Sequence, residues 1–286
     1  MKAALKAGFV LAALALLPAC ANPRHDAPAN GAAAGNPANT VANTAPQAPA
    51  APLRIQPRFH VGQRFRTTRT LRVAEATAVG DVVTTSREVT LSEVLSVDET
   101  GRLLAVRRNY EASQTALSRD GRTPEEANGR LHGCTLELRR RAGSVEAKVL
   151  AGDASLAGEN FALDGFEYAL LPAEPVPVGR AWALNDAQLA GISRLVQAIG
   201  FVIEKNSLTC VLAEADASRA RISLDWRLSG ELNRAAAVLE FTGELVFDRT
   251  TQMVTQVKLT GGRPGAQQVE IAVSRRNADG WLDLGG

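Results

Sequence analysis

This chain is poor in the residues that carry most enzyme chemistry. Its 286 residues include three histidines, three cysteines and two methionines, and 5% are aromatic. His25 lies in a low-complexity N-terminal segment, and His60 and His132 are far apart in sequence. The chain has no His-Glu-x-x-His, no paired Cys-x-x-Cys and no close His/Asp cluster, so neither a structural nor a catalytic zinc site is expected. A Gly-x-Ser-x-Gly elbow and a phosphate-cradling Gly-x-x-x-x-Gly-Lys are also missing. The aromatics are too sparse for a stacking platform or a carbohydrate cleft, and Trp182, Trp226 and Trp281 are dispersed enough to read as packing residues. Carboxylates such as Glu125, Glu126 and Asp164 fall in expected loops, and spacing singles out no pair. We therefore expect no catalytic residue, no metal and no cofactor. His132 lies two residues from Cys134, and on a strand the two would share a face as thiol and base. A histidine beside a disulfide cysteine is the preferred reading.

Strong charge imbalance is missing as well. Basic residues number 32 and acidic residues 30, and removing Lys2 and Lys6 leaves 30 of each. A near-neutral chain is not a general polyanion binder, and no nucleic-acid partner is expected. Arg139, Arg140 and Arg141, and the pair Arg275-Arg276, are either an anionic contact patch or solvated strand ends, and we read them as the latter.

Near the N-terminus, Lys2 and Lys6 precede an apolar stretch from Ala7 to Leu17. Its eleven or so residues fall short of the ~20 needed to span a bilayer as a helix. A basic start, a short apolar stretch and a small residue before the cut make a secretory signal. The stretch ends in Leu17-Pro18-Ala19-Cys20, which is similar to a bacterial lipoprotein signal, with Pro18 where a small or aliphatic residue is usual. We expect residues 1–19 to be removed and Cys20 to be the lipid attachment site. One acyl chain holds a protein marginally, and two or more make the anchor durable. Ala21, rather than aspartate, follows the cysteine. By resemblance to known sorting rules this implies the outer membrane in a cell with two membranes. Residues 20–52 are rich in Ala, Asn, Pro and Gly and almost uncharged, a composition that cannot offset its ordering entropy by burial. They read as a tether, roughly 30 Å across as a flexible coil and about 100 Å if extended.

Residues 53–286 suit one β-rich domain, or two joined halves over 53–165 and 166–286. Alternation is the dominant signal. Ile222, Leu224, Trp226 and Leu228 interleave with Ser223, Asp225, Arg227 and Ser229, the period of a half-buried strand. Phe241, Leu245 and Phe247, then Val269, Ile271 and Val273, repeat it. Earlier strands are expected over 63–78, 82–97, 102–118, 131–141 and 144–151, with turns at Gly80-Asp81, 98–101 and 248–251. Connections this short join antiparallel neighbours. Asn185 to Gln188 reads as a capping box. Leu189, Ile192, Leu195, Val196 and Ile199 follow at helical spacing, with Gly200 as the stop. The expected fold is mainly β: a curved antiparallel meander, half-barrel-like, with one amphipathic helix over about 185–199 packed on it. That helix face is either a ligand surface or core. Cys134 and Cys210 could form a disulfide in an oxidising compartment, adding about 4 kcal/mol in the chain-entropy model. Two free buried cysteines are the alternative.

Val61-Gly62-Gln63-Arg64-Phe65 and the proline-rich run Leu171 to Trp182, with Val178-Gly179 inside it, resemble motifs of uncharacterised bacterial envelope lipoproteins. There they open the first strand and introduce the second half of a β-rich domain, and no established activity is implied. The pattern also resembles the half-barrels of periplasmic lipoprotein carriers and lipid-binding lipoproteins, which hold acyl chains against a concave face. The expected role is therefore that of a non-enzymatic, membrane-anchored envelope lipoprotein that binds a lipid or other apolar ligand. The alternative is a structural or protein-interaction module of the envelope, with an envelope protein as its partner.

Overall fold

The computed structural model describes residues 51–278 apart from 78, 79, 143, 158, 160, 198 and 233. Cys20, His25, the signal segment, nearly all of the tether and Trp281 lie outside the described residues. The described residues cluster as one compact unit.

Twelve antiparallel strands form one open sheet. The first half is a meander of β1 (Arg64–Thr77), β2 (Gly80–Val97), β3 (Leu103–Arg119), β5 (Thr135–Arg141) and β6 (Ser144–Ala151), with the short β4 (Glu125–Asn128) pairing only with β3. The second half is a meander of β7 (Ala181–Ala183), β8 (Phe201–Ala215), β9 (Arg219–Leu232), β10 (Ala235–Asp248), β11 (Met253–Arg263) and β12 (Gln267–Asn277). The two halves meet where β1 pairs with β12, with Phe65 opposite Asn277 and Leu71 opposite Ile271. The first and last strands thus lie side by side in the middle, while β6 and β7 are the outer edges. The sheet does not close into a barrel. Edge strands invite pairing with other chains, and a three-residue β7 offers little to pair with.

The alternation read from the sequence becomes a two-faced sheet. Along β9, Ile222, Leu224, Trp226 and Leu228 are buried, and Arg221, Ser223, Asp225 and Arg227 are exposed. Each removes its apolar surface from water at about 25 cal/mol per Å2, and the Trp226 ring packs on Phe241 at 5.1 Å. Two apolar clusters share this inner face. The larger covers β8 to β12, and the smaller joins Phe59, Phe65, Leu103, Val106, Leu136 and Leu138 of the first half.

The helix α1 (Asp186–Gln197) forms within the expected segment. Its capping box is reciprocal: the Gln188 amide donates to Asn185 Oδ1 at 3.0 Å, and the Asn185 amide donates to Gln188 Oε1 at 3.1 Å. Gly200, with φ of +79°, supplies the left-handed stop that other residues adopt at a cost. Proline explains the irregular link before it. Pro172, Pro175 and Pro177 lie outside strands, and the link is tied down where Leu53 and Val176 exchange backbone hydrogen bonds of 2.8 and 3.0 Å.

Three local expectations need correction. Residues 131–134 form a turn, not strand, because Gly133 at φ of +74° breaks the alternation. His132 is therefore exposed while Cys134 is buried, and they do not share a face. Glu125 and Glu126 belong to β4, not a loop. Arg275 is not a solvated strand end. It occupies the next inward position after Val269, Ile271 and Val273 and is 6% exposed.

Candidate functional site

Cys134 and Cys210 are both free and buried, so the anticipated disulfide is not formed. Cys134 precedes β5 and Cys210 lies in β8, with seven strands between β5 and β8, whereas a bridge needs Cα atoms within about 7 Å. The Cys134 thiol lies 3.3 Å from the Arg130 carbonyl oxygen, which accepts from it. Burial pushes the Cys210 thiol up to about 12, so it is not a nucleophile at neutral pH.

The helix face divides. Ile192 and Val196 are fully buried in the larger cluster, with Leu189, Leu195 and Ile199 packed against it. A polar chain pins this face. Trp226 Nε1 donates to Asn206 Oδ1 at 2.7 Å, Asn206 Nδ2 donates to Ser193 Oγ at 2.9 Å, and Ser193 Oγ donates to the Leu189 carbonyl at 2.7 Å. Ile192 and Val196 are therefore core, and Leu189 and Ile199 are half-buried against it. Leu195 is the exception. It sits on the helix edge and also lines a cavity.

That cavity is an open groove of about 740 Å3, within the ~300–1,000 Å3 usual for small-molecule sites. Its floor is the inner face of the first-half strands: Arg69 from β1, Glu88 from β2, and Arg108 and Tyr110 from β3. Phe59 and Leu103 form one wall. Phe161, Phe166 and Tyr168 form another, together with Gly191, Arg194 and Leu195 of α1. A flat sheet with ~4.8 Å between strands would separate β3 from β8 by about 34 Å. Yet α1, seated on β8, and β3 line one groove, so the sheet curls around it. A second hollow of about 290 Å3 shares Arg69, Glu88, Phe166 and Leu195 with the groove and continues over Leu71, Ile271 and Val273.

Beneath the groove lies a buried ion pair. Arg275 donates through Nη2 to Glu167 Oε1 and through Nη1 to the Tyr168 hydroxyl. It also donates to Thr67 Oγ1 at 3.1 Å and to the Val254 carbonyl at 3.2 Å. Its guanidinium lies over the Phe65 and Tyr168 rings at 5.2 and 5.0 Å, a favourable geometry for a cation. The Glu167 side chain is fully buried, and Arg69 approaches it at 3.8 Å. Burial alone would raise the Glu167 carboxyl, but the Arg275 and Arg69 charges overcome it and hold the group below its ordinary value. Burial raises the hydroxyls of Tyr168 and Tyr110. Neither is a base at neutral pH. This network fixes the 3-10 turn Phe166–Leu170, which carries the groove wall.

The charges facing the groove are unbalanced. Four arginines, Arg69, Arg102, Arg108 and Arg194, face two carboxylates. Glu88 is taken by Arg69 at 3.0 Å and Asp164 by Arg140 at 2.7 Å. Among the described residues, Arg102, Arg108 and Arg194 have no carboxylate within ion-pair distance. No group of three His, Cys, Asp or Glu there is placed to hold a metal. No helix there is long and apolar enough to cross a membrane. The arginine run of β5 is matched locally: Arg139 to Glu137 at 2.6 Å and Arg141 to Glu146 at 3.4 Å.

Sequence reading passed over Arg69, Arg108 and Glu167, and took Arg275 for a solvated strand end. A signal was present for three of them. Inward positions of β1, β3 and β12 read Phe65-Thr67-Arg69, Val106-Arg108-Tyr110 and Val273-Arg275, which puts arginine where alternation calls for apolar residues. Glu167 lies in irregular chain, where no pattern marks it.

No family model matches the chain, and no curated protein matches it. The likeness to envelope lipoproteins therefore rests on the two motifs alone. Among solved structures, a chain from "Lipid-protein interactions in lipovitellin" aligns with a TM-score of 0.42 at 7% identity, over 77% of this chain and 25% of that one. This chain thus spans about a quarter of that chain's length, and a likeness at this level carries no argument about function.

Proposed function

We propose that this protein is a lipid-anchored component of the cell envelope, attached through Cys20, that holds a single-chain apolar ligand and performs no chemistry on it. The observation that supports this reading is the groove. Its walls carry Phe59, Leu103, Phe161, Phe166 and Leu195, and its volume is about 740 Å3. With each methylene taken as about the ~30 Å3 of a water molecule, a sixteen-carbon chain needs roughly 500 Å3. The groove suits one such chain, and the 290 Å3 hollow beside it extends the path.

The burial of Ile192 and Val196 and the hydrogen bonds of Ser193 support α1 as a fixed wall rather than a lid that must open. The interaction-module reading calls for an exposed apolar patch. Among the described residues the large exposed apolar side chains, Val61, Leu150, Val178, Val202 and Val238, are instead scattered over different elements.

Gly191 offers the test. It lines the groove, and a Cβ built there meets nothing within 4 Å. Gly191→Trp places an indole in the groove without disturbing the buried helix face. Protein extracted from native membranes is expected to carry an acyl-chain compound by mass spectrometry, and the Gly191→Trp protein to carry much less while melting at a similar temperature. Wild-type protein that neither co-purifies with nor binds any single-chain lipid refutes the reading. For the anchor, Cys20→Ala is expected to abolish acyl labelling and release the protein from membranes. Continued retention and labelling would overturn that assignment.

A further inference from the structure

Arg108 is the least satisfied charge in the groove. It is 7% exposed, and a charge taken out of water is costly unless it is paired. The pairing that buried arginines usually find is missing: among the described residues no carboxylate is within ion-pair distance. Its contacts are neutral. Nη1 donates to the Ala162 carbonyl at 3.1 Å, Nη2 to the Leu163 carbonyl at 2.9 Å, and Nε to Ser92 Oγ at 3.4 Å. These use three of the five N–H groups of a guanidinium, and the Tyr110 hydroxyl also interacts with the same side chain. The three contacts also hold the side chain still. A pre-positioned guanidinium with a donor to spare is suited to a planar anion.

Its surroundings sharpen the point. Arg108 forms part of the groove floor beside Tyr110, and both line the space enclosed by Leu103 and Phe161. Arg275, the other buried arginine, has Glu167 as counter-charge, and Arg69 has Glu88. Arg102 and Arg194 add unpaired positive charge at exposed positions of the same groove. The groove therefore presents apolar walls, one buried cation and a cationic rim. A ligand that is apolar throughout would cover Arg108 and leave its charge uncompensated. An amphiphile with an anionic head compensates it.

We infer that Arg108 is the head-group site of the groove, and that the ligand is a single-chain amphiphile ending in a carboxylate, a long-chain fatty acid. This rests on the apolar-ligand reading above and adds the head group to it. The carboxylate accepts from the remaining N–H of Arg108 beside the Tyr110 hydroxyl, and the chain runs along Phe161, Phe166 and Leu195 toward the hollow over Leu71 and Val273.

The test compares palmitate with 1-hexadecanol, ligands of equal chain length that differ in head-group charge. Binding is measured by calorimetry on the full chain carrying Cys20→Ala, so that no detergent competes. A charge-assisted hydrogen bond in a buried site gives palmitate an advantage of about tenfold or more. Arg108→Met is expected to bring the two ligands to near parity by weakening palmitate alone. Arg102→Gln with Arg194→Gln should keep the preference, since these side chains are exposed. Equal affinities in the wild-type chain overturn the inference and leave the apolar-ligand reading standing; this comparison needs no variant to fold. Binding of hexadecanol but not palmitate overturns it too, as does a preference that survives Arg108→Met or disappears with the rim substitutions. Failure of both ligands to bind refutes both readings.

Discussion

Replacing Arg275 by methionine tests whether the ion pair beneath the groove holds the two halves of the sheet together. Arg275 is on β12 and Glu167 is on the turn between the halves, 108 residues away. Their side chains are 2% and 0% exposed. Removing the guanidinium leaves a buried carboxylate whose Oε2 already has no hydrogen-bond partner, with Arg69 at 3.8 Å as the nearest remaining cation. It also takes partners from Tyr168, Thr67 and the Val254 carbonyl. Breaking one side of a buried pair costs about 3–5 kcal/mol, which for a domain of this size lowers the melting temperature by roughly 6 to 20 °C. Urea titration at neutral pH measures the loss directly. The pH dependence gives a second signature. In the wild-type protein the Glu167 carboxyl is held below its ordinary 4.5. Its contribution is therefore fully present above that value and is lost as pH falls through the lower folded value. Without Arg275, burial becomes the dominant influence and raises the carboxyl. Protonation then favours the folded state, and the variant's deficit shrinks as the solution is acidified. Replacing the pair together, Glu167→Leu with Arg275→Met, should recover most of the loss, because no charge is left stranded. A loss below about 1 kcal/mol for the single substitution, or stability curves that run parallel with pH, would refute the reasoning.

Asn206→Leu removes the acceptor of the Trp226 indole and the donor to Ser193. Stranding those buried groups is expected to cost about 1–3 kcal/mol, read from the denaturation midpoint, with α1 exchanging its amide hydrogens faster. For the cysteines, maleimide labelling of native protein should leave Cys134 and Cys210 unmodified, because both are buried and the Cys210 thiol is pushed up to about 12. Unfolding should expose both, and rapid labelling of Cys210 in the folded state would contradict its placement. Electrophoretic mobility with and without reductant should be the same.

Much of the fold was legible because it is local. Period-two burial in β9, β10 and β12 follows from the geometry of a single strand, and the capping box at Asn185 and Gln188 follows from the orphan amides of a helix start. Turn residues forced antiparallel neighbours. Cys134 and His132 were misplaced because one glycine with positive φ resets the alternation, and sequence does not show which glycine will do so. Whether Cys134 and Cys210 could meet depended on strand order. That order was out of reach of local pattern, since β1 pairs with β12 across almost the whole domain.

The sequence by itself determined the strand periodicity and the one helix with its buried stripe; that Arg69, Arg108 and Arg275 point inward went unread. It did not determine what those arginines meet. Tertiary structure decided that Arg275 finds Glu167, that Arg69 finds Glu88, and that Arg108 finds two backbone carbonyls and an open groove. The physical reason is range. Burial alternates over two residues, whereas a counter-charge is supplied by whatever the curled sheet and the link between its halves bring within a few ångströms.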